Sequence, residues 1–153
     1  YLQFAKTQAQ EDTSKIDLKD LFVKIDKDLK NKNLEILFED KVILNGRVTA
    51  LKRSFENIIQ NGLTYGNNVI VKIQKSSNRA LILFEDDGPG IPEDQYKNVF
   101  KPFFRLDKSR SLNQSGVGLG LAIVEDIINS HGGNIQLGKS KFNGLQVKIF
   151  LPF

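Results

Sequence analysis

Apolar positions fall into helical and alternating rhythms along most of the chain. Leu18, Leu21, Phe22, Ile25 and Leu29 recur at three- and four-residue spacing, which predicts an amphipathic helix from Asp17 onward. Leu51, Phe55, Ile58, Ile59 and Leu63 repeat that rhythm over residues 49–63, and Leu121, Val124, Ile127 and Ile128 over residues 119–130. Residues 34–38 and 41–45 read as two short strands around Glu39-Asp40. Val69, Val71 and Ile73 alternate with polar neighbours and predict a half-buried strand over residues 69–75. Residues 80–85, 134–137 and 145–151 supply further strands, with turns at 76–79 and at Gly144.

Two stretches break these rhythms. Residues 86–115 are rich in Gly, Pro and Ser and hold at most one short helix, near 93–100. A loop of that length inside a compact domain is usually functional. Residues 1–16 turn polar after the first few positions and read as the end of a preceding helix plus a linker, leaving 17–153 as one domain. The order of elements predicts an α+β fold. Its architecture is a two-layer α/β sandwich, with helices on one face of a mixed, mostly antiparallel sheet.

Composition removes several chemistries. Cysteine is absent, so disulfides, thiolate metal sites and cysteine nucleophiles are excluded. A single histidine excludes a multi-histidine metal centre. No apolar run approaches the roughly 18 residues of a membrane helix. The net charge of +4 sets 22 basic residues against 18 acidic ones. That suits an anionic ligand but falls far short of a nucleic-acid-binding stripe, so no direct nucleic-acid partner is expected. The chain opens at Tyr1 and contains no methionine, which reads as a piece of a longer protein.

Three constellations carry chemistry. Asn57 and Asn61 lie four apart on the second helix and project from one face. Two neutral amides there can offer oxygens to a hard cation or hydrogen-bond a phosphate, although for the pair taken alone a polar helix edge is the simpler reading. Asp86-Asp87-Gly88-Pro89-Gly90-Ile91 follows an apolar strand directly. A carboxylate there can accept from an exocyclic amine such as adenine N6, and the glycines allow a close backbone approach. An ordinary Asp-Gly-Pro turn is the alternative. Gly116-Val117-Gly118-Leu119-Gly120-Leu121 stands at the foot of the last helix. Free amides and the helix dipole make that a phosphate cradle. No Gly-Lys-Ser/Thr follows, so it is not a Walker A loop, and no strand directly precedes it as a Rossmann turn requires.

Taken together, these residues resemble the GHKL ATP-binding fold and, more narrowly, the catalytic domain of bacterial sensor histidine kinases. Asn57-x-x-x-Asn61 is similar to the N box of that family and Asp86-x-Gly88-x-Gly90 to its first glycine box. Phe100-Lys101-Pro102-Phe103-Phe104-Arg105 resembles the F box, and Gly116-x-Gly118-x-Gly120 the second glycine box. The likeness covers about Asp17 to the end. Residues 85–91, 103–107 and 118–124 read most like the osmosensing members.

The resemblance implies ATP and Mg²⁺ as cofactors. Asn57 would give Mg²⁺ an oxygen, and Asn61 would support the metal or phosphates. Asp86 would accept from adenine N6, flanked by Gly88 and Gly90, and Tyr65 would pack on the ring. Arg105 would reach the phosphates, with Gly116, Val117, Gly118, Leu119 and Gly120 lining them. Residues 106–116 would form a lid that orders around the triphosphate, anchored by Phe100, Phe103 and Phe104. Relatives of the gyrase type carry a glutamate where Asn57 stands, as general base for hydrolysis, so transfer to an external nucleophile is implied instead.

That nucleophile would be a histidine on a dimerisation domain upstream, feeding a response regulator, in a homodimeric inner-membrane sensor whose catalytic part is cytoplasmic. The alternatives are a stand-alone anti-sigma serine kinase and a nucleotide-binding module without turnover. Two departures from the family pattern stand out. Gly62 occupies a position where alanine is usual, and Thr64 one where a basic residue is common. One phosphate contact would then be absent, or supplied by Lys108 or Arg110. His131, just before Gly132-Gly133, reads as a capping or packing residue rather than a phosphoacceptor.

Overall fold

A computed structural model describes residues 11–101 and 120–153. Expectations that rest on residues 1–10 and 102–119 lie outside the described residues. These concern the end of the preceding helix, Phe103, Phe104, Arg105, Lys108, Arg110, the lid, and Gly116, Val117, Gly118 and Leu119.

Three helices form where apolar spacing demanded them: α1 (Leu18–Leu29), α2 (Val48–Tyr65) and α3 (Gly120–Ser130). Asp17 caps α1, its carboxylate accepting from Lys19 N at 3.0 Å. The strands are β1 (Ser14–Asp17), β2 (Leu34–Phe38), β3 (Ile43–Gly46), β4 (Val69–Ser76), β5 (Arg79–Asp86), β6 (Asn134–Lys139) and β7 (Leu145–Pro152). Five of them make one sheet in the order β2-β4-β5-β7-β6. Only β2 and β4 pair in parallel; the other neighbours are antiparallel. The fold is therefore α+β with a mixed, mostly antiparallel sheet, as expected.

Alternation along the strands sets the core. Val69, Val71 and Ile73 of β4, Ala80, Ile82 and Phe84 of β5, and Val147, Ile149 and Leu151 of β7 are buried toward the helices. Phe22 of α1, Phe55 of α2 and Phe84 of β5 join the two layers. Phe22 and Phe55 stack with ring centroids 4.9 Å apart, and Phe84 lies 6.3 and 6.0 Å from them. An aromatic pair of this kind adds about 0.5–1.5 kcal/mol beyond its buried area.

Three local expectations need correction. The linker expected up to residue 16 contains β1, which pairs antiparallel with β3 and buries Ile16. The strand expected over residues 41–45 is Ile43–Gly46, which pairs with β1, while β2 joins the large sheet. The short helix expected near residues 93–100 is two separate 3-10 turns, Glu93–Gln95 and Asn98–Phe100.

Candidate nucleotide-binding site

Three successive carboxylates stand where β5 ends: the two-residue period of the strand sends Glu85 and Asp86 to opposite faces, and Asp87 follows the last strand residue. Asp86 continues the inward column of Ala80, Ile82 and Phe84, so it points at the helical layer. Glu85 lies on the opposite side of the strand. Glu85 is buried and accepts from Gln146 Nε2 at 3.0 Å and Lys141 N at 3.4 Å, holding the β6–β7 hairpin. Asp87 accepts from Asn67 N at 2.7 Å, Asn68 N at 2.8 Å and Asn68 Nδ2 at 3.0 Å. These bonds tie down the α2–β4 turn and hold the Asp87 carboxyl below the usual carboxylate range, the Asn68 amide contributing most.

Asp86 divides its two oxygens. Oδ1 accepts from Gly88 N at 2.9 Å and from Leu145 N at 3.0 Å. Oδ2 lies beside Gly62 of α2 and accepts from no group among the described residues. Burial pushes the Asp86 carboxyl above its ordinary value of 3.8, against the two backbone bonds that favour its charge. The site thus holds a half-buried carboxylate whose Oδ2 takes no hydrogen bond among the described residues. Gly62 is where it is because α2 runs close to β4 and β5. A Cβ there would lie 2.5 Å from Val69 Cγ2 and 3.2 Å from Asp86 Cβ.

Helix α2 aligns Asn57, Asn61 and Tyr65 at four-residue steps on one half-buried face. A Cβ on Gly120 would lie 2.9 Å from Asn57 Nδ2 and 3.1 Å from its Oδ1, so the start of α3 abuts that amide. Gly88 packs on the backbone of Tyr65, its notional Cβ 3.0 Å from the Tyr65 carbonyl oxygen. Gly90 has a φ of 72°, in the left-handed region that glycine favours. The C-terminal half of α2 therefore meets Gly120 at the Asn57 side chain, Gly88 at the Tyr65 backbone, and Asp86 at Gly62. Arg105, Gly116, Val117, Gly118 and Leu119 lie outside the described residues. Thr64 is exposed.

The sequence did not disclose Gly144, Leu145 or Asp87 as parts of this site. Gly144 carried only a turn signal, and its contact with Asp86 depends on how β5 and β7 pair. Asp87 was visible inside the Asp-Asp-Gly motif, but only its bonds to Asn67 and Asn68 separate its role from that of Asp86.

His131 sits apart, at the other end of α2 from Tyr65. Its Nε2 accepts from Arg47 N at 3.0 Å and its Nδ1 lies 2.7 Å from Ile127 O. The ring is therefore neutral, with its proton on Nδ1, which is the capping role the sequence suggested. Burial holds its pKa below the ordinary 6.5, aided by the Arg47 charge and opposed by the Ile127 carbonyl bond and by Glu11. Protonation would turn Nε2 into a donor facing the Arg47 N–H. Because the folded value is depressed, the stability contribution is complete above pH 6.5 and is lost as pH falls through the folded pKa. A proton NMR titration of this sole imidazole should give a midpoint below 6.5. Denaturant midpoints should fall over the same acid range and lose that fall in His131→Phe. A midpoint at or above 6.5 would contradict this account.

A family model described as "Histidine kinase-, DNA gyrase B-, and HSP90-like ATPase" matches residues 46–153. The sensor histidine kinase CpxA of Escherichia coli K12 is 38% identical over 110 residues, covering 71% of this chain and 24% of CpxA. The NMR structure of the histidine kinase domain of the E. coli osmosensor EnvZ is 34% identical, with a TM-score of 0.70, covering 91% of this chain and 88% of that one. The crystal structure of the ATP binding domain of PrrB from Mycobacterium tuberculosis is 25% identical with a TM-score of 0.74, covering 93% and 98%. The chain belongs to the family of histidine kinase-, DNA gyrase B- and HSP90-like ATPases. Within it, the chain is an ATP-binding catalytic domain of the sensor histidine kinase type. It spans about a quarter of the length of relatives such as CpxA, 24% in that case.

Proposed function

We propose that this domain transfers the γ-phosphoryl group of ATP to a histidine on a dimerisation domain of the same protein, for relay to a response-regulator aspartate. The observation that carries this reading is Asp86, a half-buried carboxylate with one oxygen committed to the backbone and the other, beside α2, without a hydrogen bond among the described residues. That oxygen accepts from adenine N6. Tyr65 packs on the base, and Gly88 and Gly90 shape its rim. Asn57 and Asn61 offer amide oxygens and N–H groups toward the metal and phosphates. Gly120, with Gly116, Val117, Gly118, Leu119 and Arg105, serves the phosphates.

The described donors fit Mg²⁺ held mainly by the nucleotide, since Mg²⁺ keeps few protein ligands in such sites. Among the described residues no cluster of His, Asp or Glu forms a metal cage of its own. Bound Mg²⁺ would neutralise the phosphate charge that the transfer redistributes. This chain's part is to orient the nucleotide and to leave water unactivated. The Asn57 amide cannot take a proton from water at neutral pH. Glu56 is about 100° around the helix from it and is engaged with Lys52 Nζ at 3.2 Å. The phosphoryl group therefore passes to an imidazole nitrogen, ADP leaving as the N–P bond forms. No observation favours a stand-alone serine kinase or a module without turnover.

Partners follow from the same reading: the dimerisation domain, a response regulator and a second copy of the whole protein at an inner membrane, with this domain on its cytoplasmic side. Among the described residues no helix is long and apolar enough to cross a membrane. Calorimetry should show Mg-ATP and Mg-ADP binding to the chain. Incubation with γ-labelled ATP should leave the chain itself unlabelled and should label an added dimerisation domain on its histidine. Stable label on His131, or rapid phosphate release without acceptor, would overturn the proposal.

A further inference from the structure

Helix α2 begins without a cap of its own. Ser, Thr, Asp or Asn usually precedes a first turn and binds its free amides. Here the capping position is Arg47, whose side chain makes no cap bond. The amides are satisfied from distant parts of the chain. Glu11 Oε2 accepts from Thr49 N at 2.8 Å, and Glu11 Oε1 accepts from Ala50 N at 3.1 Å. The Arg47 amide goes to His131, and the Arg47 guanidinium bonds the Ser130 hydroxyl at the end of α3. A carboxylate bridging two amides at a helix N-terminus gains from both the open N–H groups and the helix dipole.

Glu11 stands in the segment by which the chain enters the domain, three residues ahead of β1. Asp12 and Thr13 between them are exposed. The carboxylate can therefore leave α2 without opening the β1–β3 ladder or the core, so docked and undocked forms differ by a local rearrangement. The docked form fixes the start of the helix that carries Asn57, Asn61 and Tyr65. The two ends of α3 brace α2, His131 bonding Arg47 at its start and Gly120 abutting Asn57 at its middle.

We propose that Glu11 is a positioning residue that couples the path of the incoming chain to the nucleotide helix. With Glu11 docked, α2 is held in the geometry that receives ATP; with Glu11 released, its first turn frays and the site loosens. Coupling of this kind is reciprocal: nucleotide must tighten the Glu11 contact by the factor by which the contact tightens nucleotide. The proposal rests on the nucleotide reading above.

The test uses the full 153-residue chain, as wild type, Glu11→Ala and Glu11→Gln, with a non-hydrolysable ATP analogue and Mg²⁺. In the wild type, the analogue should slow amide exchange at Thr49 and Ala50. In Glu11→Ala those amides should exchange fast with or without it, and affinity should fall about fivefold, the low end of typical coupling. Glu11→Gln, which keeps a neutral oxygen acceptor, should fall between. A cap that only stabilises the helix would lower the melting temperature of Glu11→Ala and leave affinity unchanged, and that result overturns the coupling alone. If the variants fail to fold, wild-type exchange at Thr49 and Ala50 that ignores the analogue overturns it equally. A wild type that binds no analogue would remove the nucleotide reading, and this proposal with it.

Discussion

Replacing Asp86 with Asn is expected to weaken ATP binding sharply while leaving the fold at least as stable. The Asn carbonyl oxygen can keep both bonds that Oδ1 accepts, from Gly88 N and Leu145 N. The amide nitrogen then occupies the place of Oδ2 and presents a donor to the N6 amine, itself a donor. Loss of a charged acceptor costs about 1.5–3 kcal/mol, or about tenfold to a hundredfold in affinity. The ratio of ATP to GTP affinity should fall as well, because the new donor suits a carbonyl at the same ring position.

Stability runs the other way. The Asp86 pKa is raised in the fold. Its contribution to stability is thus fully present below the unfolded value of 3.8 and is lost as pH rises through the folded one. At neutral pH the ionised group opposes folding, and the amide removes that opposition. Denaturant midpoints at pH 7 should place Asp86→Asn at or above the wild type, with the difference shrinking toward pH 3. Unchanged ATP affinity by calorimetry would place adenine elsewhere. A variant clearly less stable at pH 7 would show that the Oδ1 bonds need the charge.

How much of this was written locally in the sequence varies by residue. The helix carrying Asn57 and Asn61 was legible because Leu51, Phe55, Ile58 and Ile59 mark its buried face. Asp86 was legible as the end of an apolar strand. Strand β1 was not, since Ser14, Lys15 and Asp17 flank a single apolar residue, Ile16, and pairing with β3 alone makes it a strand. The start of α2 was legible to within one residue, but its caps were not, since they come from Glu11, 38 residues before Thr49, and from His131, 84 residues after Arg47. His131 itself could be read as a cap from the glycines after it, but its partner could not. Local pattern encodes which face is buried. Which distant groups share a polar contact is decided only when the sheet assembles.

Gly144→Ala is the second large effect, and it arises from such an assembled contact. The glycine closes the β6–β7 hairpin, its carbonyl accepting from Ser140 N at 2.9 Å. A Cβ at this position would lie 2.2 Å from the Asp86 carbonyl oxygen and 2.2 Å from Asp86 Oδ1. Neither atom can step aside cheaply. The carbonyl belongs to the β5 backbone, and Oδ1 is bonded to Gly88 N and Leu145 N. The hairpin must instead move away from β5, which breaks the Leu145 bond and frees the Asp86 carboxylate to rotate. Overpacking of this sort costs about 1–3 kcal/mol, so thermal and denaturant midpoints should fall visibly. ATP affinity should fall in the protein that remains folded, because the acceptor loses its fixed aim. The two effects should be linked through Asp86. In the double variant Asp86→Ala, Gly144→Ala, the clash with Oδ1 is gone and only the clash with the carbonyl remains, so the stability costs should add to less than their sum. Gly144→Ala with a wild-type midpoint and wild-type ATP affinity would mean that the hairpin has room to spare and does not hold Asp86. Strict additivity with Asp86→Ala would mean that the glycine matters to the backbone of β5 alone.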